Sequence, residues 1–256
     1  MVFDGNGFAK RIEDKLRKSG KLMGKKLVIF QTGKVESTYV RLKREMGERL
    51  KVNIKLQISN NKLDLKQGIA DAGEDCDGVL VQLPIVGAST EERDEILRMI
   101  PPEKDVDGLN PDGGKFLPAA VVAVERILSR VQPVMRVEPV IGVVGAKGMV
   151  GKALVKRFRG LGYKVTGIDK KNTKKVTPWR GESGKLKECG VVVSATGQAG
   201  LIKPEMVKNG VVAIDLGYPK GDFDEKVKEK ASFFTPVPGG VGPVTVVSLF
   251  ENLSQT

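Results

Sequence analysis

The chain of 256 residues contains no histidine, two cysteines, one tryptophan and only 5% aromatic residues. Without histidine, a histidine base, a Ser-His-Asp triad and a histidine-ligated metal are all excluded. Acid–base chemistry must therefore fall to Lys, Tyr, Asp or Glu. Cys76 and Cys189 have no partner at metal-ligand spacing and read as reduced structural thiols, so no metal site is expected. No apolar run reaches the roughly 18 residues of a membrane span. The opening Met1-Val-Phe-Asp-Gly lacks the basic start and apolar core of a secretion signal, so the expected compartment is the cytoplasm.

What the chain has in excess is positive charge, formally +12 at pH 7, and unevenly placed. Residues 1–66 carry 17 Lys/Arg against 7 Asp/Glu. That suits a polyanionic small substrate, a solvated basic face, or nucleic acid. No aromatics interleave these lysines, which argues against a single-strand binder.

The chain is organised around Val140-Ile-Gly-Val-Val-Gly-Ala-Lys-Gly-Met-Val-Gly151. Val140–Val144 has the length and β-branching of a buried parallel strand, and a helical pattern restarts at Met149 and runs to Phe158. Gly145, Gly148 and Gly151 between them permit a tight turn and close approach of the backbone to a pyrophosphate. The helix N–H groups would hold that anion. Asp169 closes the next strand, Lys164–Asp169, about 20 residues on, where a carboxylate takes a ribose 2′-hydroxyl and repels a 2′-phosphate. Lys147, Lys170, Lys171 and Lys174 offer the opposite preference.

Before this unit the pattern alternates helix and strand. Helices are predicted over 8–22, from Glu36–Thr38 to about Leu50, and over 63–72, 90–100 and 121–131; strands over 26–31, 52–58 and 77–85. This is a parallel α/β half-barrel or open sheet. Beyond the glycine turn, strands are predicted at 190–195, 210–215 and 232–235, with helices over 203–209 and 244–252. Tyr39 and Lys43 stand four apart on one helix face. Gln82 and Pro84 sit at a strand's C-terminal edge. Asp105 and Asp107 lie in the Gly/Pro-rich loop 101–114, where Asp-x-Asp-Gly lacks the remaining ligands of a calcium loop.

Tyr39-Val-x-x-Lys43, Val81-Gln-Leu-Pro84, Lys104-Asp-Val-Asp-Gly108, Ser194-Ala-Thr-Gly-Gln-Ala-Gly-Leu201, Ala213-Ile-Asp-Leu-Gly217 and Thr235-Pro-Val-Pro-Gly-Gly-Val-Gly-Pro243 occur in one order over nearly the whole chain. In these motifs it resembles the bifunctional methylenetetrahydrofolate dehydrogenase/methenyltetrahydrofolate cyclohydrolase family. The resemblance implies a two-lobe α/β fold: a catalytic domain at 1–117 completed by a C-terminal helix at 243–256, and a Rossmann domain at 118–242. It implies oxidation of 5,10-methylenetetrahydrofolate with NADP, or NAD in view of Asp169, and hydrolysis of the methenyl product to 10-formyltetrahydrofolate. A dehydrogenase without the hydrolase, and a degenerate scaffold acting as a basic nucleic-acid-binding or regulatory protein, are the alternatives.

The resemblance also implies roles. Lys43 transfers protons beside Tyr39, Gln82 orients it, and Asp107 accepts hydrogen bonds from the pterin, with Asp105 structural. Pro84, Gly239 and Gly240 fall at the substrate. Gly145, Ala146, Lys147, Gly148 and Gly151 fall on the phosphate turn, with Thr196 and Tyr218 on the nicotinamide side. Tetrahydrofolate derivatives, polyglutamylated forms included, are the expected partners, with a homodimer, no membrane and no nucleic acid. Departures are Gly33-Lys-Val-Glu-Ser37 in place of Gly-Asp-Pro-Ala-Ser, Pro118-Ala-Ala-Val121 in place of Pro-Cys-Thr-Pro, and Val86 in place of a second proline.

Overall fold

The computed structural model describes residues 1–72, 75–131, 139–169 and 183–256. In chain order its first half holds α1 (Gly5–Ser19), β1 (Lys26–Thr32), α2 (Thr38–Arg49), β2 (Asn53–Ser59), α3 (Lys62–Ala72), β3 (Gly78–Gln82), α4 (Thr90–Arg98) and α5 (Ala119–Val131). The second half holds β4 (Ile141–Val144), α6 (Met149–Gly160), β5 (Val165–Ile168), α7 (Ser183–Glu188), β6 (Val191–Ser194), β7 (Val212–Asp215), α8 (Val227–Lys230), β8 (Phe233–Phe234) and α9 (Val241–Leu253). These elements form two compact units: Ala9–Ala119 with Val246–Thr256, and Met1–Phe8 with Ala120–Thr245.

In the first unit the three strands form an open parallel sheet in the order β2-β1-β3. β1 is central, and its Leu27-Val-Ile-Phe30 run is buried on both faces. β2 and β3 form the two edges; β3 is buried, whereas β2 is only partly covered, in keeping with its alternating Asn53-Ile-Lys-Leu-Gln-Ile sequence. Two helices that follow sheet strands have side-chain caps. Ser37 Oγ accepts from the Val40 N–H at 3.3 Å to start α2. Ser89 and Glu92 form a reciprocal capping box at the start of α4.

The second unit is a five-stranded, all-parallel sheet in the order β5-β4-β6-β7-β8. Consecutive strand residues enter opposite layers. Ile141, Val143, Val191, Val193, Val212 and Ile214 pack with α5 and α6 through Ile127, Leu128, Leu154 and Phe158. Val144, Val192 and Ala213 pack on the other face with Ile168, Leu186 and Ile202. Burial on both faces explains the Val-rich runs without polar alternation. The strand order reverses direction at β4, placing a crevice at the C-terminal ends of β4 and β6.

Several boundaries differ from expectation. Met1–Phe8 was assigned by sequence to the first domain, but it packs with the second unit. Phe234 N–H donates to Met1 O at 2.9 Å, Phe3 N–H donates to Phe234 O at 2.8 Å, and the Phe3 ring stacks on Phe233 at 5.4 Å. The segment 203–209 makes only a single 3₁₀ turn, Pro204–Met206. The short helices α7 and α8 have no apolar period that would announce them. α9 begins at Val241, three residues early, because Pro243 falls in the first turn, where its missing N–H forfeits no intrahelical bond.

Within the first unit, Asn252 of α9 donates from Nδ2 to Val106 O at 2.9 Å and to Leu117 O at 3.3 Å, so α9 pins both ends of the loop that carries Asp107. Asn252→Ala leaves the buried Val106 carbonyl and the partly exposed Leu117 carbonyl without this donor. We expect a loss of about 1–3 kcal/mol of stability, read as a lower denaturant midpoint at unchanged slope. An unchanged midpoint would show that these bonds do not hold the loop.

Candidate active site

The first unit gathers its polar side chains at the C-terminal ends of its strands. Lys43, one turn after Tyr39 on α2, has a side chain only 5% exposed. Its Nζ donates to Gln82 Oε1 at 3.1 Å and to Asp107 Oδ2 at 3.3 Å; the Asp107 side chain is 14% exposed. Gln82 closes β3, and its Nε2 donates to Leu83 O at 2.9 Å, which fixes the amide so that its oxygen faces the lysine. The third N–H of Lys43 has no partner among the described residues. Tyr39 is half-buried, and exposed Pro84 follows a cis Leu83–Pro84 bond just past Gln82.

The two aspartates of the 101–114 loop divide their work. Buried Asp105 accepts the Gly108 N–H at 3.0 Å and the Asn110 N–H at 2.7 Å, shaping the loop that presents Asp107. Burial pushes its carboxyl up to about 6, helped by the neighbouring Asp107 charge and opposed by the backbone donors.

Sequence reasoning assigned no role to Gln31, yet it latches the loop before α2. Its Oε1 accepts the Ser37 N–H at 2.8 Å and its Nε2 donates to Val35 O at 2.6 Å. Arg44 then grips Glu36 with two bonds of 3.0 and 3.3 Å. Thr32 Oγ accepts the Val86 N–H at 2.8 Å. The three departures at Lys34, Val35 and Glu36 are thus built into a held loop.

In the second unit, Gly145 ends β4 with φ +84°, and a Cβ there would stand 2.6 Å from Ala195 O. A Cβ on Gly151 would collide with the Gly145 carbonyl oxygen, so only glycine lets α6 start this close to the turn. Gly148 is the N-cap and has no side chain to fill the helix end. The first intrahelical bond runs from Lys152 N–H to Gly148 O at 2.8 Å, leaving the N–H groups of Met149, Val150 and Gly151 ahead of it. An open helix start beside a side-chain-free turn, at the point where strand order reverses, fits a pyrophosphate.

Ala146 lies in the turn against Gly167, and exposed Lys147 donates its backbone N–H to Asp169 Oδ1 at 3.1 Å. The structure therefore brings Asp169 onto the phosphate turn. Lys170, Lys171 and Lys174 lie outside the described residues. Thr196 adjoins Gly145, while Tyr218 is 45% exposed in the excursion after β7. Gly239 (φ +95°) and Gly240 lie in the second unit, where Gly5 N–H donates to Gly239 O at 2.9 Å.

Ser194, Asp215 and Asp222 are further residues to which sequence reasoning assigns no role. Asp215 accepts the N–H groups of Gly217, Asp222 and Phe223 at 2.7–3.0 Å, and burial pushes its carboxyl up to about 6. One signal was available: Gln31, Gln82, Ser194 and Asp215 are polar residues at or near the C-terminal ends of otherwise apolar strands, the edge where open α/β sheets bind ligands.

Residues 3–107 match the sequence model of the tetrahydrofolate dehydrogenase/cyclohydrolase catalytic domain, and residues 118–256 that of the same family's NAD(P)-binding domain. The bifunctional protein FolD of Aquifex aeolicus is 31% identical, with 98% of this chain and 93% of that protein covered. The bifunctional protein FolD of Lactobacillus acidophilus is 36% identical over 83% of this chain and 79% of that one. The Trypanosoma brucei N5,N10-methylenetetrahydrofolate dehydrogenase-cyclohydrolase, solved with NADP cofactor and inhibitor, has a TM-score of 0.86. It is 28% identical, covering 99% of this chain and 95% of its own.

The raised Asp105 carboxyl makes a pH prediction. Its folded value exceeds its unfolded one, so the stability it contributes is full below about pH 4 and is lost as pH rises through about 6. Asp105→Asn resembles the protonated form at every pH. The stability advantage of wild type over the variant should therefore be greater at pH 4 than at pH 7, by about 2–3 kcal/mol. Equal differences in denaturation experiments at the two pH values would contradict the burial of this charge.

Proposed function

Since this chain belongs to the tetrahydrofolate dehydrogenase/cyclohydrolase family, we propose which of its residues carry each reaction. The protein oxidises 5,10-methylenetetrahydrofolate to 5,10-methenyltetrahydrofolate with NAD(P)⁺ and hydrolyses that product to 10-formyltetrahydrofolate. The carrying observation for the catalytic roles is the Lys43–Gln82–Asp107 contact set.

Lys43 is the proton-transfer residue. In the free protein the Asp107 carboxylate holds the ammonium. A folate whose aminopyrimidine N–H donors engage Asp107 takes up that counter-charge, and its methenyl bridge brings a positive charge beside Lys43. Both changes free the Lys43 side chain from its counter-ion. Its amine can then take a proton from water as the new C–O bond forms and return it to N5 as the C–N5 bond breaks, while the carbinol hydroxyl gives its own proton to solvent to leave the formyl carbonyl. Gln82 holds the Nζ in place throughout, and Tyr39 borders the same face. Pro84 lines the substrate side of β3. Retention of Tyr39, Lys43 and Gln82 together disfavours a dehydrogenase without hydrolase activity.

The turn Gly145–Gly151 holds the cofactor pyrophosphate on the α6 N–H groups, with Thr196 at the crevice between β4 and β6 and Tyr218 toward the nicotinamide. When bound, the nicotinamide supplies the acceptor for the hydride leaving the one-carbon bridge. We place NADP⁺ first, because a Trypanosoma brucei relative binds it and exposed Lys147 adjoins the turn. Asp169 keeps NAD⁺ as the competitor, since its carboxylate stands on that turn.

Gly239 and Gly240 give backbone access to the reacting groups. The basic first quarter of the chain suits the glutamate tail of a polyglutamylated folate. We further propose a homodimer working in the cytoplasm. No helix among the described residues is long and apolar enough to cross a membrane.

Two experiments test these assignments. Lys43→Met should reduce hydrolysis of 5,10-methenyltetrahydrofolate by at least about 100-fold over the spontaneous background while leaving the circular dichroism spectrum intact. A folded variant with the wild-type rate removes Lys43 from the mechanism. Asp169→Asn keeps an acceptor for the Lys147 N–H but removes the charge. It should raise kcat/KM for NADP⁺ relative to NAD⁺ on the order of tenfold. An unchanged ratio would put the 2′ position of the ribose away from Asp169.

A further inference from the structure

Asp222 is completely buried in the second unit, yet all its side-chain hydrogen bonds converge on one oxygen. Oδ2 accepts the Ser194 hydroxyl at 2.7 Å, the Thr196 N–H at 2.8 Å and the Thr196 hydroxyl at 2.8 Å. Oδ1 is buried with no hydrogen-bond partner. Three donors on one oxygen call for the charge density of a carboxylate; an amide oxygen is the weaker acceptor. Asp222 is itself held by Asp215, which accepts the backbone N–H groups of Asp222 and Phe223 at 3.0 Å. Ser194 and Asp215 are register partners on β6 and β7, so the two carboxylates tie the turns after these strands to each other.

This arrangement consumes the Thr196 hydroxyl. Its hydrogen goes to Asp222, and its oxygen accepts the Gln198 N–H at 3.2 Å. What Thr196 presents toward Gly145 is its methyl carbon, 3.3 Å from where a Cβ on Gly145 would stand. The crevice between the ends of β4 and β6 is therefore bordered by Gly145, the Ala195–Gly197 backbone and a methyl group.

We propose that Asp222 is a positioning residue for the oxidation step: it fixes the Ala195–Gly197 turn so that backbone and the Thr196 methyl, with the hydroxyl turned inward, border the nicotinamide end of the cofactor. The proposal rests on the cofactor placement given above. It makes Asp222 necessary for dehydrogenation and dispensable for hydrolysis of a methenyl substrate, whose proton-transfer group Lys43 lies in the first unit.

The test uses Asp222→Asn, Thr196→Val and the double variant of the full chain. Oxidation of 5,10-methylenetetrahydrofolate is measured against cofactor concentration, and hydrolysis of 5,10-methenyltetrahydrofolate in the same preparations. We expect each single variant to lower dehydrogenase kcat by roughly ten- to a hundredfold, with hydrolysis within about twofold of wild type. The double variant should be no worse than the weaker single one, because both remove one network. Substrate deuterated at the bridge carbon should show a larger isotope effect in the variants, as misalignment slows the chemical step.

Wild-type dehydrogenase kcat in Asp222→Asn, or parallel loss of both activities, would overturn the proposal. Thr196→Val carries the test should Asp222→Asn fail to fold: hydrolysis kept with dehydrogenation impaired supports it, and unimpaired dehydrogenation overturns it. A wild-type protein that oxidises substrate with neither NAD⁺ nor NADP⁺ would instead count against the cofactor placement itself.

Discussion

Burying the Lys43 ammonium obliges the chain to supply acceptors for it, because an unpaired buried charge is far costlier than an unpaired dipole. Two other elements supply them. Gln82 reaches it from the end of β3 and Asp107 from the loop that follows α4. Those two positions converge only because β1 and β3 are parallel neighbours in register, with Gln31 opposite Gln82. The rest of the unit secures the three groups: Gln31 and the Glu36–Arg44 pair hold the approach to α2, Asp105 folds the loop under Asp107, and Asn252 anchors that loop from the other end of the chain. In the proposed mechanism the ion pair is also the part that an incoming folate rearranges, by competing for the same carboxylate.

The nucleotide-binding unit works by a different economy. In the proposed placement its contacts toward a cofactor come from main chain at Gly145–Gly151 and Ala195–Gly197, and its side chains act mainly on one another. Asp215, Asp222, Ser194 and Thr196 form a buried polar network whose donors are largely backbone N–H groups. Such a network rigidifies turns that would otherwise be held by sequence-local bonds alone. Asp169 belongs to the same pattern, as its carboxylate receives the Lys147 backbone N–H. One side chain thereby shapes the turn and, in the proposed placement, sets the charge met by the ribose.

Much of the fold was legible because the parallel-sheet pattern is local. Apolar runs at Leu27–Phe30, Val79–Val81 and Ile141–Val144, each ending in a polar or glycine residue, read directly as buried strands feeding turns. Hydroxyl residues at both helix starts, Ser37 or Thr38 and Ser89 or Thr90, offered caps, and the structure uses the serine of each pair. Less was legible where stability comes from distant contacts. The N-terminal eight residues join the second unit through β8, more than 220 residues away, and no local pattern signals that pairing. The short polar helices α7 and α8 carry no period to read.

By itself the sequence determined the chemistry available. The absence of histidine leaves lysine and carboxylates to move protons, the glycine spacing after β4 builds a phosphate turn, and the ordered motifs carry the family resemblance. Only the tertiary structure decided which groups meet: that Asp107 is the partner of Lys43, that Gln31 latches the approach to α2, and that the Thr196 hydroxyl is spent on Asp222. The physical reason is range. Turn, cap and strand propensities act over a few residues and are written locally, whereas a hydrogen bond between residues 43 and 107 or 196 and 222 exists only once parallel strands have brought their C-terminal ends side by side.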